Sequence, residues 1–98
     1  MNDATIRAAM AILKDINKEE RERESHMRKA KEHETRGHRL IDAAIQAIKN
    51  DDRELARTAV NDAKKQSQEA KDEKDKAGKI HEQIIGKCKA LSILLATE

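Results

Sequence analysis

The sequence predicts an all-α fold, an antiparallel hairpin of two long helices, on three observations. There is no Pro and only three Gly in 98 residues, there is no Phe, Tyr or Trp, and apolar residues recur at helical spacing in both halves. Helices need neither Pro nor many Gly, whereas antiparallel sheets need frequent turns and favour β-branched and aromatic side chains. A charged content of 41% without aromatics also suits a disordered chain. Order is favoured because the apolar residues are clustered and periodic and the net charge is only +2.

The first helix is expected over about residues 4–49. Ile6, Ala9, Met10, Leu13 and Ile16 form one apolar block and Leu40, Ile41, Ala44, Ile45 and Ile48 a second. The heptad Ile6, Leu13, Glu20, Met27, Glu34, Ile41, Ile48 carries both blocks on one face of a continuous helix and is expected to form the seam. A turn follows at 50–52, where Asp51 is placed to cap the next helix and Glu54 stands three residues on, as a capping box requires. The second helix is expected over about residues 53–96, from Leu55, Ala56, Ala59 and Val60 to Ile80, Ile84, Ile85, Leu91, Leu94 and Leu95. Ala56, Ala63, Ala70 and Ala77 repeat every seven residues and would permit close helix approach.

Folding at Asp51 places residue i near residue 102 − i, so apolar blocks meet apolar blocks and the charged middles face each other. Residues 1–98 thus read as one helical domain. The alternative is a compact four-helix monomer bent at Gly37 and Gly78, since each Gly weakens a helix interior by about 1 kcal/mol relative to Ala.

A core without aromatic rings is thin, and small thin-cored domains commonly add disulfides, metals or subunits. The single cysteine, Cys88, cannot form an internal disulfide, which suits a reducing compartment. Association is the expected source of further burial, and two hairpins pairing into a four-helix coiled-coil-like bundle is the economical form. The partner is therefore expected to be a second copy, a dimer first, or another protein. The longest apolar stretch, 84–96, contains Lys87 and Lys89 and is too short to span a bilayer, and no secretory leader pattern stands at the start. A cytoplasmic protein with no membrane partner is expected.

Residues of the types that carry chemistry give little. His26, His33, His38 and His81 invite a His/Glu metal bundle, with Glu22/His26 and Glu34/His38 one turn apart, but there is no Glu-x-x-His and the spacing selects no metal. Polar positions on a charged helix are the better account, and His81 is expected in a polar layer of the seam near Glu20, Arg21 and Glu24. Ser25, Ser67 and Ser92 lack a glycine elbow or local base, and no phosphate loop or paired-cysteine motif is present. No enzymatic activity, cofactor or metal is expected. Arg7, Lys14, Arg21 and Arg28 recur every seven residues as a possible polyanion stripe, but the same helix carries Asp15, Glu19, Glu22 and Glu24 and no aromatic for base stacking. In the middle of the hairpin, Glu20, Glu24, Glu34, Ser67 and Lys74 are expected at seam positions that an optimised coiled coil would fill with apolar residues.

The expected function is a non-enzymatic protein–protein interaction module. Its candidate contact residues are Ile6, Met10, Leu13, Ile84, Ile85, Leu91, Leu94 and Leu95 near one end, with Leu40, Ile41, Ile45 and Ile48 near the other. The alternatives are a small regulator or inhibitor, of the kind mobile elements encode, that binds nucleic acid or a nucleic-acid-processing protein, and the metal bundle.

Overall fold

The computed structural model describes residues 1–96 and consists of two helices, α1 (Asp3–Lys49) and α2 (Arg53–Ala96), joined by a three-residue turn into an antiparallel hairpin. Thr97 and Glu98, the last two residues of the span read as one domain, lie outside the described residues. No helix among the described residues is long and apolar enough to cross a membrane.

Each helix end follows from side chains beside it. Asn2 caps α1: its Oδ1 accepts the Thr5 amide at 2.8 Å and its carbonyl accepts the Ile6 amide at 3.0 Å. At the other end of α1 the Asp52 amide reaches the Ala47 carbonyl at 2.8 Å and the Asp51 amide reaches that of Ile48 at 3.0 Å. This pair of bonds is a Schellman closure, and it places Asp51 in the left-handed region at φ 55°. The capping residue of α2 is Asp52, whose Oδ1 accepts the Leu55 amide at 3.1 Å. The cap therefore falls one residue beyond the Asp51 expected from sequence, because Asp51 is used to reverse the chain and Asp52 is the next carboxylate able to reach an orphan amide.

Both helices run unbroken through Gly37 and Gly78, so the compact four-helix alternative is not the fold. No glycine has positive φ. Gly37 lies against α2, where an added Cβ would meet the Gln66 Cβ at 3.7 Å, and Gly78 has open space around it. The propensity cost of about 1 kcal/mol per glycine is spread over helices of 47 and 44 residues whose cooperativity carries them through.

The helices form two compact contact units, Met1–Ser25 with Lys76–Glu98 and His26–Asp75. Apart from Glu20, Ser25 and Asp62, buried and half-buried residues in each unit alternate spacings of four and three, the mark of a coiled-coil seam. In the first unit the seam runs Thr5, Ala9, Ile12, Ile16, Glu19, Arg23 on α1 and Ala77, Ile80, Ile84, Lys87, Leu91, Leu94 on α2. In the second it runs His26, Ala30, His33, Gly37, Leu40, Ala44, Ala47 on α1 and Ala56, Ala59, Ala63, Gln66, Ala70, Glu73 on α2.

This seam lies one residue away from the heptad of Ile6, Leu13, Met27, Ile41 and Ile48 expected to fill it, and those five side chains are exposed. Glu20, Glu24, Glu34, Ser67 and Lys74 move out of the seam with them, and Glu19, Arg23, His26, His33, Gln66 and Glu73 take the polar positions. The reason is the small residues. Ala56, Ala63, Ala70 and Ala77 are all buried, and with Ala30 and Ala47 on α1, 1% and 2% exposed, they let the backbones approach where isoleucines would hold them apart. The pairing of Gly37 with Gln66 also shifts the register by one, from 102 − i to 103 − i.

Candidate interaction surface

In the second unit an alanine-rich seam leaves most large apolar side chains elsewhere, whereas the first unit keeps Ile12, Ile16, Ile80, Ile84, Leu91 and Leu94 in its seam. A buried methylene contributes about 0.8 kcal/mol, so Ala in place of Leu forgoes about 2 kcal/mol per seam position. The larger side chains concentrate at the residue immediately following a seam residue. One step along an α-helix turns the side chain by about 100°. Because the two helices run in opposite directions, that step carries both to the same side of a seam.

This side, the flank, holds Ile6, Met10, Leu13, Ile85 and Leu95 in the first unit. In the second it holds Met27, Ile41, Ile45, Ile48 and Val60. These ten are among the thirteen large apolar residues exposed in the described chain, the others being Met1, Leu55 and Ile93, so the flank holds most of the exposure. The opposite side, made by residues preceding seam positions, is mainly small or charged, as at Ala8, Asp15, Glu22, Lys29 and Arg36 on α1 and Asp62, Glu69 and Lys76 on α2, with Leu55 and Ile93 as its exposed large apolar residues.

The twelve contact residues read from sequence divide on this basis. Ile6, Met10, Leu13, Ile41, Ile45, Ile48, Ile85 and Leu95 are exposed on the flank. Ile84 is buried in the seam, and Leu40, Leu91 and Leu94 are half-buried there, so these four serve the packing of α1 on α2. Met27 and Val60 belong with the flank but were not among the twelve. They stand as isolated apolar residues in polar surroundings, and only their heptad phase relative to the true seam identifies them.

In the second unit the flank contains a groove of about 480 Å³ floored by the seam residues Gly37 and Ala63 and walled by Glu34, His38, Ile41, Val60, Lys64 and Ser67. The groove exists because its floor is made of two of the smallest side chains. Glu34 and Lys74 form an ion pair on the flank of this unit. Hydrogen bonding to the Lys74 ammonium, reinforced by its charge, lowers the Glu34 carboxyl below its ordinary value.

Polar seam residues pair across the helices. His26 Nδ1 donates to Glu73 Oε2 at 2.5 Å, and His33 Nδ1 donates to Gln66 Oε1 at 2.7 Å with the Glu69 carboxylate 3.1 Å away. In the first unit Lys87 donates to Glu19 and lies 4.0 Å from Asp15. The hydrogen bond to Glu19 raises the Lys87 ammonium above the usual lysine value, with Asp15 and Glu22 adding to it against partial desolvation. His81, expected in a seam layer, is instead exposed, as are His38 and Cys88. Among the described residues no three His, Cys, Asp or Glu side chains come close enough to hold a metal ion.

Arg7, Lys14, Arg21 and Arg28 are exposed and share one heptad position on α1, two residues beyond the seam positions Thr5, Ile12, Glu19 and His26. Each directly follows a flank position, Ile6, Leu13, Glu20 or Met27, and so points further from the seam. Comparison with known proteins finds no matching family model, no similar curated protein and no similar solved structure.

Proposed function

We propose that this chain is a non-enzymatic protein–protein interaction module, acting in the cytoplasm, whose working surface is the apolar flank of its two helices. The observation that carries the reading is the division of labour between side chains. Alanines dominate the seam of the second unit and isoleucines and leucines that of the first, while ten further large apolar residues stand exposed on the side that follows the seam. Within each unit, helices offering exposed apolar residues at heptad spacing are suited to receive further helices. The exposed single thiol at Cys88 is compatible with a reducing compartment.

The test compares tagged wild-type chain with the double substitution Leu13→Glu and Ile45→Glu. Both residues lie on the flank, so helicity by circular dichroism should be retained. The wild type should hold a protein, either another copy or a different chain, in stoichiometric amount, and the variant should lose it. Retention of the same protein by both chains, or of none by the wild type, would reject the flank as the working surface.

A further inference from the structure

We infer that the back of α1 in the first unit, the face turned away from the seam, binds double-stranded DNA through its phosphates, with Arg7, Lys14, Lys18 and Arg21 as the contacts. This face lies apart from the apolar flank, so the inference stands whether or not the flank holds a protein.

Residues three and four apart are neighbours on a helix, so Lys18 joins Lys14 and Arg21 on one ridge with Arg7, about 21 Å long at 1.5 Å per residue. All four are exposed, and among the described residues none of them pairs with an acid. The acids of the same stretch, which in the sequence weigh against a polyanion, are engaged elsewhere. Glu19 lies in the seam and accepts from Lys87, Asp15 is 4.0 Å from the same ammonium, and the Glu22 charge acts on it too. Glu20 pairs with Arg23 at 2.7 Å. Asp3 and Glu24 border the ridge only at its two ends. One lysine of α2 thus holds the field of three carboxylates on the seam side and leaves a row of a single sign on the back.

A row of one sign fits a ligand of dense, uniform opposite charge, and duplex DNA carries one negative charge per about 1.7 Å of its axis. A folded protein is held mainly by buried aromatic and apolar anchors, and the ridge offers only Ala11, with Met10 standing on the flank. An anionic membrane surface takes up a helix through an apolar face, which the back of α1 lacks for the same reason. Single strands are bound by stacking on aromatic rings, and the chain has none. Between duplexes, the major groove of B-form DNA is about 12 Å wide and admits an α-helix, whereas that of A-form RNA is deep and too narrow for side chains to read. The contacts go to phosphates and carry no base sequence.

The full-length chain is titrated into a fluorescently labelled DNA duplex of mixed sequence and binding is read by anisotropy across a series of salt concentrations. With four phosphates neutralised, the logarithmic salt slope should be about −3.6, a loss of affinity of about 150-fold between about 50 and about 200 mM salt. Lys14→Gln, Lys18→Gln and Arg21→Gln together should bring the slope to about −1 and leave helicity by circular dichroism unchanged. Lys64→Gln, Lys65→Gln and Lys71→Gln together remove the same charge from exposed positions of α2 and should leave the slope as in the wild type. A wild type that leaves DNA unbound at about 50 mM salt, or a ridge variant whose slope falls no more than that of the α2 variant, would overturn the ridge as a DNA site. Tighter binding to double-stranded RNA, or to vesicles of phosphatidylserine and phosphatidylcholine, would overturn DNA as its ligand.

Discussion

Gly37 and Gly86 offer a direct measure of how the two helices meet. Both lie inside continuous helices with negative φ, so replacement by Ala imposes no backbone strain. At Gly86 nothing stands within 4 Å of an added Cβ, and the position is neither seam nor flank. Gly86→Ala should therefore return the full propensity difference, about 1 kcal/mol. At Gly37 the new methyl meets the Gln66 Cβ at 3.7 Å, an ordinary van der Waals separation, so Gly37→Ala should gain about as much. Urea denaturation followed by helical circular dichroism reads both. With a slope of about 1–3 kcal/mol/M, each substitution should raise the midpoint by about 0.3–1 M at one fixed chain concentration. Gly37→Leu, too large for a site between facing backbones, should lower it. A lower midpoint for Gly37→Ala beside a higher one for Gly86→Ala would refute the seam geometry, and would mean that the chain bends or closes more tightly at Gly37.

Other substitutions address the turn, the polar layers and the ion pairs. Asp51→Gly should raise thermal stability by about 0.5–1 kcal/mol, because glycine occupies the left-handed region without the Cβ penalty. Asp52→Ala removes the cap on α2 and should cost about 1 kcal/mol in the same melt. His26→Ala deletes the hydrogen bond to Glu73 and should cost about 1–2 kcal/mol in urea. Glu34, whose carboxyl is lowered by Lys74, contributes stability above its ordinary value of 4.5 that is lost as pH falls through the lowered one. Glu34→Gln should accordingly flatten the acid side of a stability profile. Lys87, raised above 10.5 by Glu19, acts in the opposite sense: its contribution is present below that value and lost as pH rises beyond it, so Lys87→Met should flatten the alkaline side.

The helices, their turn and their antiparallel pairing were legible in composition and period alone, because Pro is absent and the only strong reversal signal is Asn50-Asp51-Asp52. The phase of the seam was not. Large side chains attract attention as core, and the heptad of Ile6, Leu13, Met27, Ile41 and Ile48 is the most conspicuous row in α1. The alanine heptad of α2 held the opposing information, since four buried methyl groups at 56, 63, 70 and 77 imply a close approach that isoleucines cannot join. Reading that row first would have moved every α1 assignment by one position. It would also have placed His26 and His33, rather than His81, in the polar layers.

The turn also sets an order in which the chain is expected to fold. Ala47 and Ala56, seam residues beside it, are separated by about nine residues, whereas Ala9 and Leu94 near the chain ends are separated by about 85. Closing the longer span costs about 2 kcal/mol more in chain entropy if nothing intervenes, so the cheapest route forms the reversal first and adds heptads outward, each shortening the next closure. A chain built this way behaves as a zipper whose fastener is Asp51–Asp52. Amide protons of Ala44 and Ala59 should then exchange with solvent more slowly than those near Ala9 and Leu91, and damage to the fastener should slow folding more than equal damage at the free ends.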